Sequence, residues 1–514
     1  MDYEAVFRIR LLAFGGLIVV GAGLVALFVR LRIAQRADRW CALHPRALPM
    51  FFAIGLVVFL AYFGTLALLR HYDLQTSILD LGNVEQTFWN TAHGQPFRMT
   101  TDTSEVSVPD TRLAFHIEPI ILPLSLFYWL LPRTETLLFL QLLAVAGSAV
   151  LVGLIARRLL DSPFAAVAFF TATLLAQPLW SALTFDIHPV VYALPSFLFA
   201  FWFFVQGQYG RSLLASVALM LCREDAAIVA LLFGVFLLLH RRSRWAGLAL
   251  TVLAGSWLVA LTAIFQHFHP QGYEYLWRIE GLDQVLTGAT DWRAFVADVG
   301  RFHYLLWLLV PLAFLPLVGL DVAILGAAAI GIMVVGGSDR ELLGDLHYHL
   351  LGDGALLVAA VVGAARIVRR QRRRGHRSQA PVVSVLVASI LVAALFGGRA
   401  VFPAPDWQRL ATIREAARAI PASASVAASA NAGPWVVRRS ELYLLKSPRR
   451  ARADYVLALD CAADVCDNLP KMQYDEILAE VGTDPTAQLI LYRDGVRLYE
   501  HRPSLSIRTA PSIP

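Results

Sequence analysis

The feature that most constrains this chain is the recurrence of long apolar runs: 11–29, 50–69, 136–156, 163–180, 189–206, 246–266, 303–319, 320–336, 355–368 and 382–398. A helix needs roughly 20 residues to cross a hydrocarbon core. Lipid offers no partner for free backbone groups, so helices are the expected spanning form. Composition agrees: 57% of the 514 residues are hydrophobic and 16% are charged, where soluble domains carry about 25% charged residues.

Orientation follows from arginine. Arg30, Arg32, Arg36, Arg39 and Arg46 follow the first run, Arg157 and Arg158 the third, and Arg241, Arg242 and Arg244 follow segment 212–239. Arg369, Arg370, Arg372, Arg373, Arg374 and Arg377 form the strongest cluster. Basic links mark the cytoplasmic side of a membrane protein. The pattern is an orientation signal and excludes a nucleic-acid footprint as the reading of the +6 formal charge. Segment 212–239 reads as a helical hairpin, 212–222 and 226–239, with Arg223, Glu224 and Asp225 at its tip. The expectation is an all-α polytopic membrane protein of about 12 transmembrane helices, 1–398, with both ends outside. Segments 70–135, 267–302 and 337–354 are then outer loops. Residues 11–29 read as a retained anchor.

The tail 399–514 is different material. A helical pattern at 406–419 places Leu410, Ile413 and Ala417 on one face. Short apolar pieces follow at 426–428, 443–445, 455–459 and 489–492. This predicts a small α/β extracytoplasmic domain. Cys461 and Cys466 lie close enough to pair if that domain is outside the cell. Cys41 and Cys222 stand alone.

Charged groups within or beside a bilayer are costly, so each is a candidate for function. The first outer loop carries Asp80, Glu85 and Gln86 in the stretch ILDLGNVEQTFWN, 78–90. Asp80 precedes a helical pattern, and a simple helix cap is its plainest role. His116 and Glu118 precede Pro119, and Asp186 and His188 precede Pro189. Imidazole and carboxylate suit a cation, but one intervening residue fits only an extended segment. Arg223 offers a planar fork for phosphate. His347, Tyr348 and His349 follow Asp339, Arg340, Glu341 and Asp345, and His267 and His269 precede Pro270. No Gly-rich phosphate loop and no HExxH or GxSxG motif is present.

Asp80-Leu81-Gly82, Gln86, Trp89-Asn90, Gly94, Phe115-His116, Pro119, Gln141, Asp186-Ile187-His188-Pro189, Glu224-Asp225 and His347-Tyr348, in that order, resemble the bacterial membrane-protein family known as domain of unknown function 2079. The resemblance spans roughly 55–500. That family is similar to the C-type glycosyltransferases, which take a sugar from a polyprenyl-phosphate carrier and use an acid in the first outer loop as catalytic base. The resemblance implies that role for Asp80, although the C-type pattern often has two adjacent acids and Leu81 follows here.

In such an inverting transfer a carboxylate deprotonates the acceptor hydroxyl, and the lipid-phosphate leaving group needs charge stabilisation. Arg223 is the first candidate for that and His116 the second. Glu224 and Asp225 are expected to bind sugar hydroxyls or orient Arg223. Glu85, Gln86, Glu118, Asp186, His188, His347 and Tyr348 complete the expected substrate site. No cofactor is fixed by the sequence; Mg or Mn is the cation such residues suit. The expected partners are a polyprenyl-phosphate-linked sugar, a glycan, lipid or protein acceptor, and the bilayer of the bacterial inner membrane, with no nucleic acid. A lipid or saccharide transporter or flippase is the second reading, since broken helices with intramembrane charge mark transporters too. A non-catalytic envelope-assembly scaffold is the third.

Overall fold

The computed structural model describes residues 2–101, 110–268, 287, 290–344, 346–376, 378–397 and 402–501. His269, Asp345 and Arg377 lie outside the described residues. Among the described residues, five helices are long and apolar enough to cross a bilayer: Tyr3–Arg30, Ala47–Tyr72, Thr134–Leu160, Arg241–Phe268 and His347–Arg373. A sixth candidate is broken, Pro163–Leu174 followed by Gln177–Thr184 with a bend of 42°. Shorter apolar helices accompany them at Ile121–Leu130, Pro189–Val205, Ala226–Leu238, Leu320–Gly336 and Ala380–Phe396.

Helix is found within each expected apolar run, but several runs are shorter as helices than as sequence. Run 303–319 shows why. Its helix stops at Leu309, and Ala313 and Phe314 take positive φ between Pro311 and Pro316, which cannot continue a ladder of backbone bonds. The first outer loop is not polar throughout: Ile121–Leu130 is an apolar helix that exposes Leu126, Phe127, Trp129 and Leu130.

Burial ranks the helices. The His347–Arg373 window is 83% buried and Thr134–Leu160 61%, whereas Tyr3–Arg30 is only 6% buried. The first two form the bundle centre and the last presents an apolar surface outward, as a lipid-facing helix does. Gly363 explains one close approach at the centre. A Cβ there would lie 2.3 Å from the Leu315 carbonyl oxygen, so only glycine fits.

Three of the basic links meet at one end. Asp38, the lone acid of the first basic stretch, accepts from the Ser162 hydroxyl (2.8 Å), the Phe164 N–H (2.8 Å) and the Gln379 amide (2.7 Å). Those three residues belong to the links beside Arg157–Arg158 and the 369–377 cluster. Arg366 pairs with Asp321 at the tip of the 303–336 hairpin near the same end.

The C-terminal segment forms an α/β unit. Its strands are β1 Val426–Ala428, β2 Leu442–Leu444, β3 Tyr455–Leu459, β4 Val465–Cys466, β5 Leu469–Pro470, β6 Ala487–Arg493 and β7 Val496–His501. The main sheet runs β2-β1-β3-β7-β6, with β1 parallel to β2 and β3 and with β7 antiparallel to β3 and β6; β4 and β5 form a separate ribbon. Successive strand residues alternate between faces. Val426, Ala428, Leu457 and Leu459 therefore pack on the helix Trp407–Ala419 through Leu410, Ile413 and Ala416. Ala427, Val456 and Ala458 pack on the helix Lys471–Thr483 through Tyr474, Leu478 and Val481. Cys461 and Cys466 form a disulfide.

This unit is seated on the first outer loop. Thr100 Oγ bonds both the N–H and the carbonyl of Leu442 at 2.9 Å. Arg98 pairs with Glu441, and Arg449 with Asp110. Trp435 stacks on His71 with ring centres 4.4 Å apart, at the end of the Ala47–Tyr72 helix.

Candidate functional site

Asp80 lies in a wide turn, Ile78–Gly82, with π-type hydrogen bonding. Such insertions recur at functional sites. It does not cap the following helix, contrary to the simplest sequence reading: Asn83–Ala92 starts from Gly82 with no side-chain cap, and Ser77 caps the turn itself, its hydroxyl accepting from the Leu79 N–H at 3.1 Å. The turn is held from two sides. Asp186 Oδ2 accepts the Ser77 N–H at 2.7 Å, and the Ala430 carbonyl of the C-terminal unit accepts the Ile78 N–H at 2.7 Å. Ile78 is fully buried in the core of that unit. The acid is thus fixed by groups far away in the chain.

Asp80 Oδ1 faces His188 Nε2 at 3.3 Å. The other ring nitrogen, Nδ1, lies 2.9 Å from the Asp186 carbonyl oxygen. A carbonyl only accepts, so Nδ1 carries a proton, and the contact with Asp80 is attractive only with a second proton between Nε2 and Oδ1. The Gln141 side chain holds this segment, accepting the His188 N–H at 3.2 Å and donating to the Ala182 carbonyl at 3.0 Å. His188 stacks on His347, ring centres 3.5 Å apart, and Phe185 flanks both rings. Burial, reinforced by the charge of Asp80, pushes the Asp186 carboxyl up to about 6 against the pull of the Ser77 N–H.

A second group forms where the first outer loop meets the tip of the 209–238 hairpin. His116 Nδ1 contacts Glu224 Oε1 at 2.9 Å, and the Ile117 N–H donates to Glu224 Oε2 at 3.0 Å. The Ile120 N–H donates to the Leu221 carbonyl at 2.8 Å. Arg223 forms a two-pronged pair with Asp225, at 2.7 and 2.5 Å. Asp225 is thus paired with Arg223, whereas Glu224 is engaged by His116 and the loop backbone. Glu118 is buried against Arg112 at 2.9 Å. The two groups share a neighbourhood: His347 is within electrostatic reach of His188, His116 and Arg223. His347 is 6% exposed and its Nδ1 has no hydrogen-bond partner among the described residues. The Tyr348 ring lies 4.4 Å from it.

Two expected site residues stand apart. Glu85 is fully buried and accepts from the Tyr128 hydroxyl (2.9 Å) and the Thr134 hydroxyl (2.6 Å). It ties the helix Ile121–Leu130 to the start of Thr134–Leu160. Gln86 is also fully buried, donating to Thr100 Oγ at 2.9 Å and receiving the Thr100 N–H at 2.8 Å. Both are reassigned from substrate contact to joining elements.

Sequence reasoning missed a further polar chain. Asp353 lies 2.7 Å from His349 Nδ1, and His349 Nε2 lies 3.1 Å from Ser181 Oγ. The four-residue step from His349 to Asp353 is one helical turn and was readable; the distant Ser181 was not. The Ser181 hydroxyl also lies 2.7 Å from the Pro178 carbonyl.

The donors do not assemble a cation site. The imidazoles and acids meet pairwise, and no group of three His, Cys, Asp or Glu residues suited to a metal occurs among the described residues. Mg or Mn therefore has no fitted position among the described residues.

The architecture places the molecule with known membrane proteins. It resembles ArnT from Cupriavidus metallidurans, solved with undecaprenyl phosphate, at a TM-score of 0.50 and 14% identity over 88% of this chain and 98% of that one. A likeness to the Archaeoglobus fulgidus oligosaccharyltransferase, solved with Zn and sulfate, has a TM-score of 0.40 and 11% identity over 80% of this chain and 68% of that one. At 14% identity the likeness to ArnT is one of fold. Residues 70–462 match the family described as predicted membrane protein (DUF2079), and the chain belongs to it. No curated protein matches the sequence.

Proposed function

We propose that this protein is a membrane glycosyltransferase that moves a sugar from a polyprenyl-phosphate carrier to an envelope acceptor, on the outer face of a bacterial inner membrane. The observation that carries the reading is Asp80. It is one-third exposed, beside His188, in a turn clamped by Asp186 and Ala430. A carboxylate so held accepts a proton from an acceptor hydroxyl as that oxygen attacks the anomeric carbon. The bond to the carrier phosphate breaks as the new glycosidic bond forms, and the phosphate leaves with its electron pair. The proton passes to the Asp80 oxygen that faces away from His188, while His188 holds Oδ1. Arg223, set by Asp225, and His116, set by Glu224, stand where the departing charge needs cations.

The outer location is supported by the gathering of basic links around Asp38 at the opposite end and by the disulfide, which suits an oxidising compartment. On this reading 1–398 is the membrane domain, its short helices complete twelve crossings, and 399–514 is an extracytoplasmic domain that helps present the acceptor.

The test is Asp80→Asn, which keeps size and removes basicity. Transfer of the glycan should fall by about 100-fold or more, with protein level and membrane insertion unchanged. Unaltered glycan profiles in the variant would remove Asp80 from the chemistry.

A further inference from the structure

A second concentration of unneutralised charge lies away from Asp80. A cavity of about 550 Å³ opens between the C-terminal unit and the start of the Thr134–Leu160 helix, lined by Arg133, Arg414, Arg418, Arg438, Arg439 and Trp435. Glu135 is its one carboxylate, and that group already accepts from the Tyr72 hydroxyl at 3.1 Å. None of the five arginines has a salt-bridge partner among the described residues. Arg438 donates to the Pro132 carbonyl at 2.7 Å. Arg414 lies over the Tyr72 and Trp435 rings, 5.4 and 5.2 Å from their centres.

Arg439 is 6% exposed and, among the described residues, donates only to the carbonyls of Val436, Pro421 and Ala424. Burial pulls it down to about 10. A buried charge without a counter-charge is unfavourable unless an anion arrives. The Trp435 Nε1–H also has no partner among the described residues.

The position narrows the anion. Tyr72 ends one spanning helix and Thr134 starts another. The helix immediately before Arg133 exposes Leu126, Phe127, Trp129 and Leu130. An exposed apolar helix beside arginines is how a protein meets a bilayer surface.

We propose that this cavity binds a phosphate group at the membrane rim, carried by a lipid headgroup or by a soluble phosphate compound, at a site separate from Asp80. Planar arginine forks match phosphate oxygens in pairs. The segment 430–439 gives the site its reach: Ala430 clamps the Asp80 turn, and Trp435, Val436, Arg438 and Arg439 line the cavity. The proposal stands whether or not the chain transfers sugar.

The full-length protein in neutral nanodiscs should bind either pyrophosphate or phosphatidylglycerol doped into the disc, saturably, with affinity falling as salt rises. Binding of pyrophosphate assigns a soluble ligand; binding of the doped lipid alone assigns a headgroup. Arg414→Gln with Arg418→Gln should weaken binding at least tenfold. Glu135→Gln should tighten it, a gain that misfolding does not produce. Saturable binding of neither probe, or equal affinity in wild type and both variants, would overturn the proposal.

Discussion

At the level of single residues, the buried carboxyl of Glu85 ties protonation to stability. Burial raises it from the ordinary 4.5 to about 7, despite the hydroxyls of Thr134 and Tyr128 and the charge of Arg438. In the unfolded chain the same group ionises near 4.5. Between those values the folded state holds the extra proton, so stability falls as pH rises through that window and levels off above about 7. A shift of this size corresponds to about 3 kcal/mol as an upper bound. Glu85→Gln should flatten the dependence, and should lose less relative to wild type at pH 8 than at pH 5. Unfolding midpoints in detergent across pH 5–8 measure this; parallel profiles would contradict the buried-acid account. Glu85 also shows the limit of reading residues singly. In sequence it is one more acid near Asp80, and only its packing against Tyr128 and Thr134 separates joining residue from site residue.

At the level of elements, the turn at Ile78–Gly82 is the part least legible from sequence. Its shape depends on Ser77 meeting Asp186 and on Ile78 entering the core of a unit about 350 residues later in the chain. Gly433 sits against Ile78: a Cβ there would approach Ile78 Cβ to 2.7 Å. Gly433→Ala should displace the turn and lower transfer by about tenfold or more, since a small misplacement at a reacting group is expensive. The disulfide should form and the chain should insert as before. Full activity in that variant would show that the C-terminal unit does not position Asp80. The long helices and the strand pieces were readable because hydrophobic periodicity and length decide them. The helix Ile121–Leu130 was not, because a mostly apolar helix of ten residues within a polar stretch falls below the length that marks a span. The arginine cavity draws on three separate segments, and no local pattern joins them.

At the level of the whole molecule, charge sorting organises the fold. The links around Asp38 occupy one end; Asp80, His116, Glu224, His347 and the α/β unit gather at the other. In a Cys41→Ser background, a cysteine at exposed Gln95 should react with an impermeant maleimide in intact cells, and one at exposed Arg373 should react only after lysis. The reverse pattern would invert the orientation. The order of the family-like motifs was legible in sequence, but their union was not: the contact between His116 and Glu224 spans 108 residues, as does that between His188 and Asp80.

The most direct test of a lipid-phosphate site between those two groups is photo-crosslinking of the purified full-length protein with a photoactivatable polyprenyl phosphate, mapped by mass spectrometry. The account predicts adducts within 112–120 and 221–225, diminished by unlabelled polyprenyl phosphate and by Arg223→Gln. Adducts confined to other helices, or unaffected by the competitor and the substitution, would contradict it.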